Sequence, residues 1–320
     1  MRLLRSCRRK HQITTYKDSA TYQNTLPMIS FKAPSSFTMA THSEYVINYV
    51  NSIYKAVQDK ENKCRIVLDV EDVQNTDNGA IGMLLALINA LSQKHIHTLG
   101  NLPRSEEPNR IFVNSGFLGH VRLLQGKKSR TTDNFIVQKG KDKTNSPAIG
   151  REVRKIIKHL TGEEATYKPL YTLIGEMVSN SIEHANIQHK DKNWLLSIHY
   201  ETDKVVIMVT DIGKGIMMTL RKKFDQKLKD TFISSVDTLL NLFSGRYQSS
   251  TFEKNRNKGL PFIKECFDNN FISNLFVITN NVYLDFNNNN SREMTSNFRG
   301  TFYSWEVTRN NIEIWNKRTK

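Results

Sequence analysis

Three polar side chains in one apolar segment are spaced so that a helix would carry them as an oxygen-rich stripe beside its buried face. Glu176, Asn180 and His184 are spaced four residues apart in the sequence LYTLIGEMVSNSIEHA, which begins at Leu170. In a helix the three side chains lie along one edge, because residues four apart are neighbours on a helix surface. A neutral amide oxygen suits Mg²⁺, and a carboxylate can accept a proton from a nucleophile. The apolar residues expected to face the core are Leu170, Leu173, Ile174, Met177, Val178 and Ile182.

A second candidate segment is an apolar run that ends in a glycine-rich turn. Val205 to Val209 have the side chains of a buried strand, and the sequence Thr-Asp-Ile-Gly-Lys-Gly follows them. Asp211 therefore places a carboxylate at the end of this strand. Gly213 and Gly215 let a ligand approach the backbone closely, because glycine has no side chain to collide with it.

The third segment runs from Arg256 to Ile263 and reads RNKGLPFI, a loop that leads into a helix. Pro261 is compatible with the first turn of a helix, where the missing N–H has no partner to lose. Backbone N–H groups at a helix start, together with the positive end of the helix dipole, bind polyphosphates. Lys258 adds a mobile cation beside Gly259.

In this order the three segments resemble the motifs of the GHKL ATPase family, which includes gyrase, histidine kinases and the anti-sigma-factor serine kinases. The pattern E-x-x-x-N-x-x-x-H-A resembles the N box, and D-x-G-x-G resembles the first glycine box. The segment around Gly259 resembles the second glycine box, although family members often have more glycine there. Near the C-terminus, Thr301 in RGTFYSWEV resembles the strand threonine that supports the adenine pocket.

The resemblance implies a site for ATP and Mg²⁺ and a role for each matching residue. Asn180 is then the metal ligand, and Glu176 orients or deprotonates an attacking water or protein hydroxyl. Asp211 accepts a hydrogen bond from the adenine amino group, which favours ATP over GTP. The other residues implied in nucleotide binding are Gly213, Gly215, Ile216, Lys258, Gly259, Leu260 and Thr301. Arg246, in the ATP lid, could reach the γ-phosphate.

Composition limits the classes of protein and partner. With 320 residues, of which 38% are apolar, the chain has room for about two domains. No apolar run approaches the roughly 20 residues of a membrane span, and the basic N-terminus lacks the apolar stretch of a secretory signal. Cys7, Cys64 and Cys266 are far apart in sequence, which indicates free thiols in a reducing, cytoplasmic compartment. The net charge of +15 suits a nucleic-acid partner. The basic residues are nevertheless dispersed along the chain and form no known recognition motif, so nucleic acid is not the favoured partner.

The first part of the chain alternates strand-like and helix-like segments in an order that resembles a STAS domain, the fold of anti-sigma-factor antagonists, with a mixed sheet. Partner-switching STAS domains have Asp-Ser-Ser-Gly at the turn before the main apolar helix. This chain has Thr76-Asp77-Asn78-Gly79, without the serine, which favours a docking module over a phosphorylation switch. The segments are strands at 28–34, 65–70 and 97–99, and helices at 43–59, 80–91 and 108–117.

These patterns predict an α/β (α+β) fold in two domains. The second domain is expected to layer helices on a mixed, mainly antiparallel sheet, whose late strands are 275–279, 282–286 and 301–307. The predicted divisions are a basic flexible tail at 1–28, the STAS-like domain at 29–125, a linker at 126–147, and the GHKL domain at 148–320 with its lid at 217–255.

Three functions are compatible with the sequence. The first is an ATP- and Mg²⁺-binding regulatory protein, with slow hydrolysis through Glu176 and with lid closure coupled to association with a protein partner or a second copy. The second is a serine/threonine kinase of the anti-sigma type, which the missing serine in the STAS-like part disfavours. The third is a non-catalytic scaffold, which the presence of both Glu176 and Asn180 disfavours.

Overall fold

A computed structural model describes residues 26–58, 64–117, 122–123, 135–140, 146–184, 194–219, 234–246, 259–288 and 290–319. The predicted basic tail up to residue 25, most of the predicted lid and Lys258 lie outside these residues. The described residues form an α+β fold with parallel and antiparallel sheets, which confirms the expected fold class. Among them, no helix combines the length and the apolar character that a membrane span requires.

The first part of the chain is built on parallel strands that are connected through helices. The strands β1, β3, β5 and β6 form one sheet in that order, and β2 pairs separately with β4. Every described pairing is parallel, because each connection brings the chain back so that the next strand runs in the same direction. The expectation of a mixed sheet was therefore wrong for these strands. The elements are β1 (Met28–Lys32), β2 (Ser36–Phe37), α1 (Ser43–Val57), β3 (Arg65–Asp69), β4 (Asn75–Thr76), α2 (Asn78–Gln93), β5 (His97–Gly100), α3 (Glu106–Asn114) and β6 (Arg122–Leu123).

Helix α2 begins at a side-chain cap and is apolar on nearly all sides. The Asp77 carboxylate accepts a hydrogen bond from Ala80 N at 2.7 Å, which satisfies a donor that the helix start leaves unpaired, and another from Ala40 N, before α1, at 3.1 Å. The predicted core helix at 80–91 is thereby confirmed. A helix that is apolar all round needs cover on more than one side.

The second part of the chain is a five-stranded sheet in the order β10-β11-β9-β8-β7, antiparallel at every described pairing. Side chains alternate between its faces: Val205, Ile207 and Val209 lie on one face and Met208 on the other. The first of these faces packs against the helices of this part. The elements are β7 (Phe135–Gly140), α4 (Ser146–Thr161), α5 (Lys168–His184), β8 (Trp194–Tyr200), β9 (Lys204–Asp211), α6 (Ser235–Phe243), α7 (Gly259–Asp268), β10 (Ser273–Asp285), β11 (Arg292–Thr308) and α8 (Arg309–Thr319).

Two sequence predictions about this sheet were wrong. The predicted linker at 126–147 contains strand β7, which pairs with β8 from Phe135 opposite His199 to Gly140 opposite Trp194. The two strands predicted at 275–279 and 282–286 are a single strand, β10, with a register shift at Asn280. Asn280 has a φ of 53°, a left-handed conformation that asparagine tolerates better than most residues.

The two parts of the chain share one hydrophobic core. Helices α1 and α2 cover the face of the second sheet that its own helices leave open, so that Leu195, Met208, Phe298 and Phe302 belong to the same core as the first sheet. Helix α2 lies so close to β8 that a Cβ at Gly82 would be 3.2 Å from Ser197 Oγ.

Hydrogen bonds between α1 and β11 reinforce this contact. Thr295 Oγ1 donates to Glu44 Oε2 at 2.5 Å, and Ser296 Oγ donates to Asn48 Oδ1 at 2.7 Å. The first part is therefore packed against the face of the second sheet that β8, β9 and β11 form.

Candidate functional site

Helix α5 carries two of the predicted polar residues along one edge. Its inward positions Leu170, Leu173, Ile174, Met177 and Val178 are buried, and Ile182 packs against the same core. Glu176 and Asn180 are half-buried along one edge beside this face, as the periodicity predicted. The side chain of His184 lies outside the described residues.

The carboxylate of Asp211 is buried at the end of β9 and is held by three hydrogen-bond donors. Ser181 Oγ lies 3.0 Å from Asp211 Oδ2, and the backbone N–H groups of Gly213 and Thr301 also donate to this carboxylate. Burial raises the pKa of Asp211 to about 7, and the three hydrogen bonds oppose that rise. A carboxylate with this pKa is poised between its two protonation states near neutral pH.

The glycine turn after β9 is fixed by two side chains of β10. Ile216 N donates to Thr279 Oγ1 at 2.8 Å, and Thr279 Oγ1 donates to Gly300 O at 3.1 Å. Asn280 Oδ1 accepts hydrogen bonds from the N–H groups of Met217 at 3.1 Å and Met218 at 3.4 Å. Strand β10 thus orients the backbone that follows Asp211.

Two glycines of this region have conformations and surroundings that exclude a side chain. Gly215 has a φ of 76°, and a Cβ there would overlap the side chain of Asn280. Gly300 has a φ of 135°, and a Cβ there would overlap the backbone carbonyl of Asp211. The close approach at Gly300 sets Thr301 directly opposite Asp211 in the antiparallel pairing of β11 with β9.

The start of α7 lies directly against the polar edge of α5. A Cβ at Gly259 would be 2.7 Å from Glu176 Oε2 and 3.5 Å from Asn180 Nδ2. The described part of α7 begins at Gly259, so the N–H groups of its first described turn are close to the same carboxylate and amide. Leu260 is partly buried against the core beside them, and the prediction for Lys258 falls outside the described residues.

A small cavity of about 10 Å³ lies where these elements meet. It is lined by Asn180, Ser181, Asp211, Gly215, Ile216, Thr301 and Tyr303. This volume holds about one water molecule, so a larger ligand requires that the lining elements, such as the glycine turn, move apart. Burial, and then the nearby Asp211 carboxylate, raises the pKa of the Tyr303 hydroxyl, which therefore stays protonated.

The donor set fits a magnesium ion that arrives with a phosphate more closely than a metal ion held by protein ligands alone. The described residues contain no group of three His, Cys, Asp or Glu side chains that could hold a metal ion. Asn180 Nδ2 is buried and has no hydrogen bond of good geometry among them, although its side chain lies close enough to the Tyr303 hydroxyl to lower the pKa of that hydroxyl against the larger effect of burial. This donor suits a phosphate oxygen, whereas the amide oxygen of Asn180 is the atom that suits Mg²⁺. Mg²⁺ takes a few protein oxygens and completes its shell with water and phosphate, as an amide beside the Glu176 carboxylate permits.

Most of the predicted site residues therefore converge in space, and the residues that hold them together were missed from the sequence. Ser181, Thr279, Asn280 and Gly300 were not predicted to contribute to the site, although the Thr-Asn pair that interrupts the apolar run of β10 is a visible signal. No protein-family model matches the sequence, and no curated protein matches it.

Proposed function

We propose that this chain binds ATP together with Mg²⁺ as a GHKL-type regulatory protein in the cytoplasm. One observation carries the proposal: the edge of α5, the end of β9 and the start of α7 bring Glu176, Asn180, Asp211 and Gly259 around one place. These segments are distant in sequence, and each supplies a different group for a nucleotide. The end of β9 supplies a carboxylate for the base, the edge of α5 supplies an amide and a carboxylate for the metal ion and the reaction, and α7 supplies N–H groups for the phosphates.

The adenine end of the proposed site is the buried carboxylate of Asp211. A buried carboxylate accepts a hydrogen bond from the exocyclic amino group of adenine, whereas guanine presents a carbonyl there and would leave it unpaired. Thr301 and the turn at Gly213 support this role because their N–H groups hold the carboxylate in place. The site is therefore specific for adenine through one oxygen atom and the backbone that orients it.

The phosphate end is the contact between α5 and α7. The N–H groups at the start of α7 and the Lys258 ammonium would bind phosphate oxygens, and Asn180 would hold the metal ion through its amide oxygen. When bound, Mg²⁺ neutralises phosphate charge. Since Gly259 lies against Glu176 and Asn180, α7 has to move away to admit the phosphates, and it would then close back so that Gly259 again lies beside Glu176 during the reaction.

Glu176 is the residue proposed to act in the reaction. Its carboxylate stands one helical turn before Asn180 and would orient an attacking water and accept its proton. Phosphoryl transfer depends mostly on positioning and on charge stabilisation, so one carboxylate with N–H donors is sufficient for slow hydrolysis. Opening the small cavity for ATP and closing the lid over it would change the surface that a protein partner, or a second copy of the chain, contacts.

Calorimetric titration with ATP and Mg²⁺ tests the binding proposal. Wild-type protein should bind with saturable heat, and Asp211→Asn should weaken binding by about tenfold or more, because a charge-assisted hydrogen bond becomes a neutral one. Asp203→Asn, at the exposed turn at the other end of the β8–β9 hairpin, is the matched control and should bind as wild type does. Absence of heat with wild type would refute the proposal, and equal affinity of Asp211→Asn would refute the adenine assignment.

Incubation with γ-labelled ATP distinguishes the proposed reaction from its alternatives. Release of free labelled phosphate by the wild-type protein, and loss of that release in Glu176→Gln, supports hydrolysis. Label transferred to a protein would instead support the serine/threonine kinase, and ATP binding without either product would support a scaffold.

A further inference from the structure

A second, larger cavity, which we call the inter-domain cavity, lies between the two parts of the chain. Its volume is about 120 Å³, and it is bounded by α1 and α2 on one side and by the ends of β8 and β9 on the other. Asp211 lines this cavity as well as the small cavity beside Asn180. An engineered protein cavity of about 150 Å³ admits benzene, so this volume suits a compact organic group.

The walls of the inter-domain cavity combine an apolar surface with two positive charges. Ala86, Ala90 and Leu195 provide apolar surface, and Asn89 and Gln93 add amides that can orient a ligand. Lys94, at the end of α2, and Arg299, on β11, reach the same cavity from elements that are far apart in sequence. Within the described part of the chain, neither of these two side chains forms a salt bridge or another electrostatic interaction.

We infer that the inter-domain cavity is a second ligand site, which binds a compact organic anion with its apolar group between α2 and β8 and its carboxylate or phosphate between Lys94 and Arg299. Lys94 and Arg299 outnumber the one carboxylate of the wall, Asp211, which already accepts hydrogen bonds from Ser181, Gly213 and Thr301. The concave surface therefore favours an anionic group, since arginine and lysine both donate to carboxylate and phosphate oxygens. The location agrees with the general preference of small-molecule sites for clefts between domains.

The position of the cavity links it to the site beside Asn180. Ile212 and Gly213 line it, and the Gly213 N–H is one of the donors that hold the Asp211 carboxylate. A ligand that contacts this turn therefore changes the environment of Asp211 from the side opposite to α5. This consequence rests on the proposed function, whereas binding of the anion itself does not.

Titration with benzoate in the absence of nucleotide tests the site. Benzoate has a compact apolar ring and one carboxylate, and Trp194 in the cavity wall gives a fluorescence signal alongside calorimetry. We expect saturable binding with a dissociation constant of about 1 mM or lower, and we expect Lys94→Met and Arg299→Met each to weaken it about tenfold or more. Lys55→Met and Arg110→Met remove exposed charges outside the cavity, and each should change the dissociation constant for benzoate by less than about twofold.

Two results would overturn the inference. One is the absence of saturable benzoate binding up to about 10 mM, which corresponds to negligible affinity for a built site. The other is equal binding of the neutral analogue benzamide, or unchanged benzoate binding in the Lys94→Met/Arg299→Met double variant, because either result removes the role of charge. Ala90→Leu, which fills the cavity without changing its charge, should also abolish benzoate binding.

A final titration separates this site from the proposed function. If both sites are occupied as inferred, benzoate changes the affinity for a non-hydrolysable ATP analogue with Mg²⁺, and the analogue changes the affinity for benzoate by the same factor. Benzoate binding without such a change would overturn the link through Gly213. Failure of the analogue to bind at all, beside normal benzoate binding, would refute the proposed function and leave the anion site standing.

Discussion

Ser181 Oγ lies 3.0 Å from Asp211 Oδ2 and 3.0 Å from the carbonyl oxygen of Met177. A hydroxyl carries one proton, so Ser181 donates to one of these two oxygens at a time. When Asp211 is ionised, Ser181 turns its proton toward the carboxylate. When Asp211 is protonated, its own hydroxyl can donate to Ser181, which then donates to Met177.

The raised pKa of Asp211 predicts a pH-dependent stability. The pKa is about 7 in the folded chain against 3.8 for an ordinary aspartate, so the folded state holds this proton more tightly than the unfolded state. The stabilisation of the folded state by protonated Asp211 is therefore fully present below about pH 4, and it is lost as the pH rises through about 7. Compared with Asp211→Asn, wild type should lose unfolding free energy between pH 5 and pH 8 in urea denaturation.

Ser181→Ala provides the companion measurement. Its hydroxyl is the first of the hydrogen bonds that lower the pKa of Asp211, so its removal should shift the pH-dependent loss to higher pH. Identical pH profiles for wild type, Asp211→Asn and Ser181→Ala would show that Asp211 is not protonated near neutral pH.

Asn280 is predicted to stabilise the glycine turn through its side chain. Its Oδ1 accepts from Met217 N and Met218 N, and its Nδ2 donates to Lys214 O at 2.9 Å. Asn280→Gly keeps the left-handed backbone accessible but removes these bonds, and should lower the unfolding free energy by about 1–3 kcal/mol.

Asn270→Gly is the matched control, because Asn270 has a similar φ of 58° and is exposed. We expect a change within about 0.5 kcal/mol at this position, measured by the same urea denaturation. Equal losses at Asn270 and Asn280 would mean that backbone conformation, and not the side-chain hydrogen bonds, determines the stability at Asn280.

The sequence predicted the helices of the site well because their information is local. The periodicity of α5 defines both its buried face and its polar edge, and the Asp-x-Gly-x-Gly turn after β9 is visible in consecutive residues. Asn280 was missed because its partners are more than 60 residues away in sequence. Strand β7 was missed because its apolar residues are few and are flanked by charged ones, and only its pairing with β8 makes it a strand.

The contact between the two parts of the chain was also left open by the sequence. The apolar character of α2 on all sides was a signal that both of its faces are covered, but it could not identify the second partner. That partner is a sheet face made by strands from the other half of the chain, and such a long-range pairing has no local signature.

Gly259 is predicted to set the position of the Glu176 carboxylate. A Cβ at Gly259 would be 2.7 Å from Glu176 Oε2, so Gly259→Ala displaces a flexible side chain and should cost no more than about 1 kcal/mol of stability. Misplacing a catalytic group by about 1 Å can reduce a rate about a hundredfold, so the proposed ATP hydrolysis should fall at least tenfold. Phosphate release and urea denaturation measure the two effects separately.

Gly175→Ala is the control for Gly259→Ala. Gly175 precedes Glu176 on α5, and a Cβ there would have no neighbour within 4 Å. Alanine favours a helix over glycine, so this variant should gain about 0.5–1 kcal/mol of stability and keep the wild-type hydrolysis rate. Equal rates in both variants would show that the contact of Gly259 with Glu176 does not position the carboxylate.

The shared core predicts that the two parts of the chain unfold together. Phe298 on β11 is 1% exposed and belongs to the core that includes α1, α2 and the first sheet. Phe298→Ala should lower the unfolding free energy by about 3–5 kcal/mol, and hydrogen exchange should show equal loss of protection in α2 and in β8, because one opening exposes both. Leu275→Ala, in the core on the other face of the same sheet, should likewise reduce the protection of α2. Unchanged protection of α2 in both variants would show that the first part of the chain is an independent folding unit that only rests on the sheet.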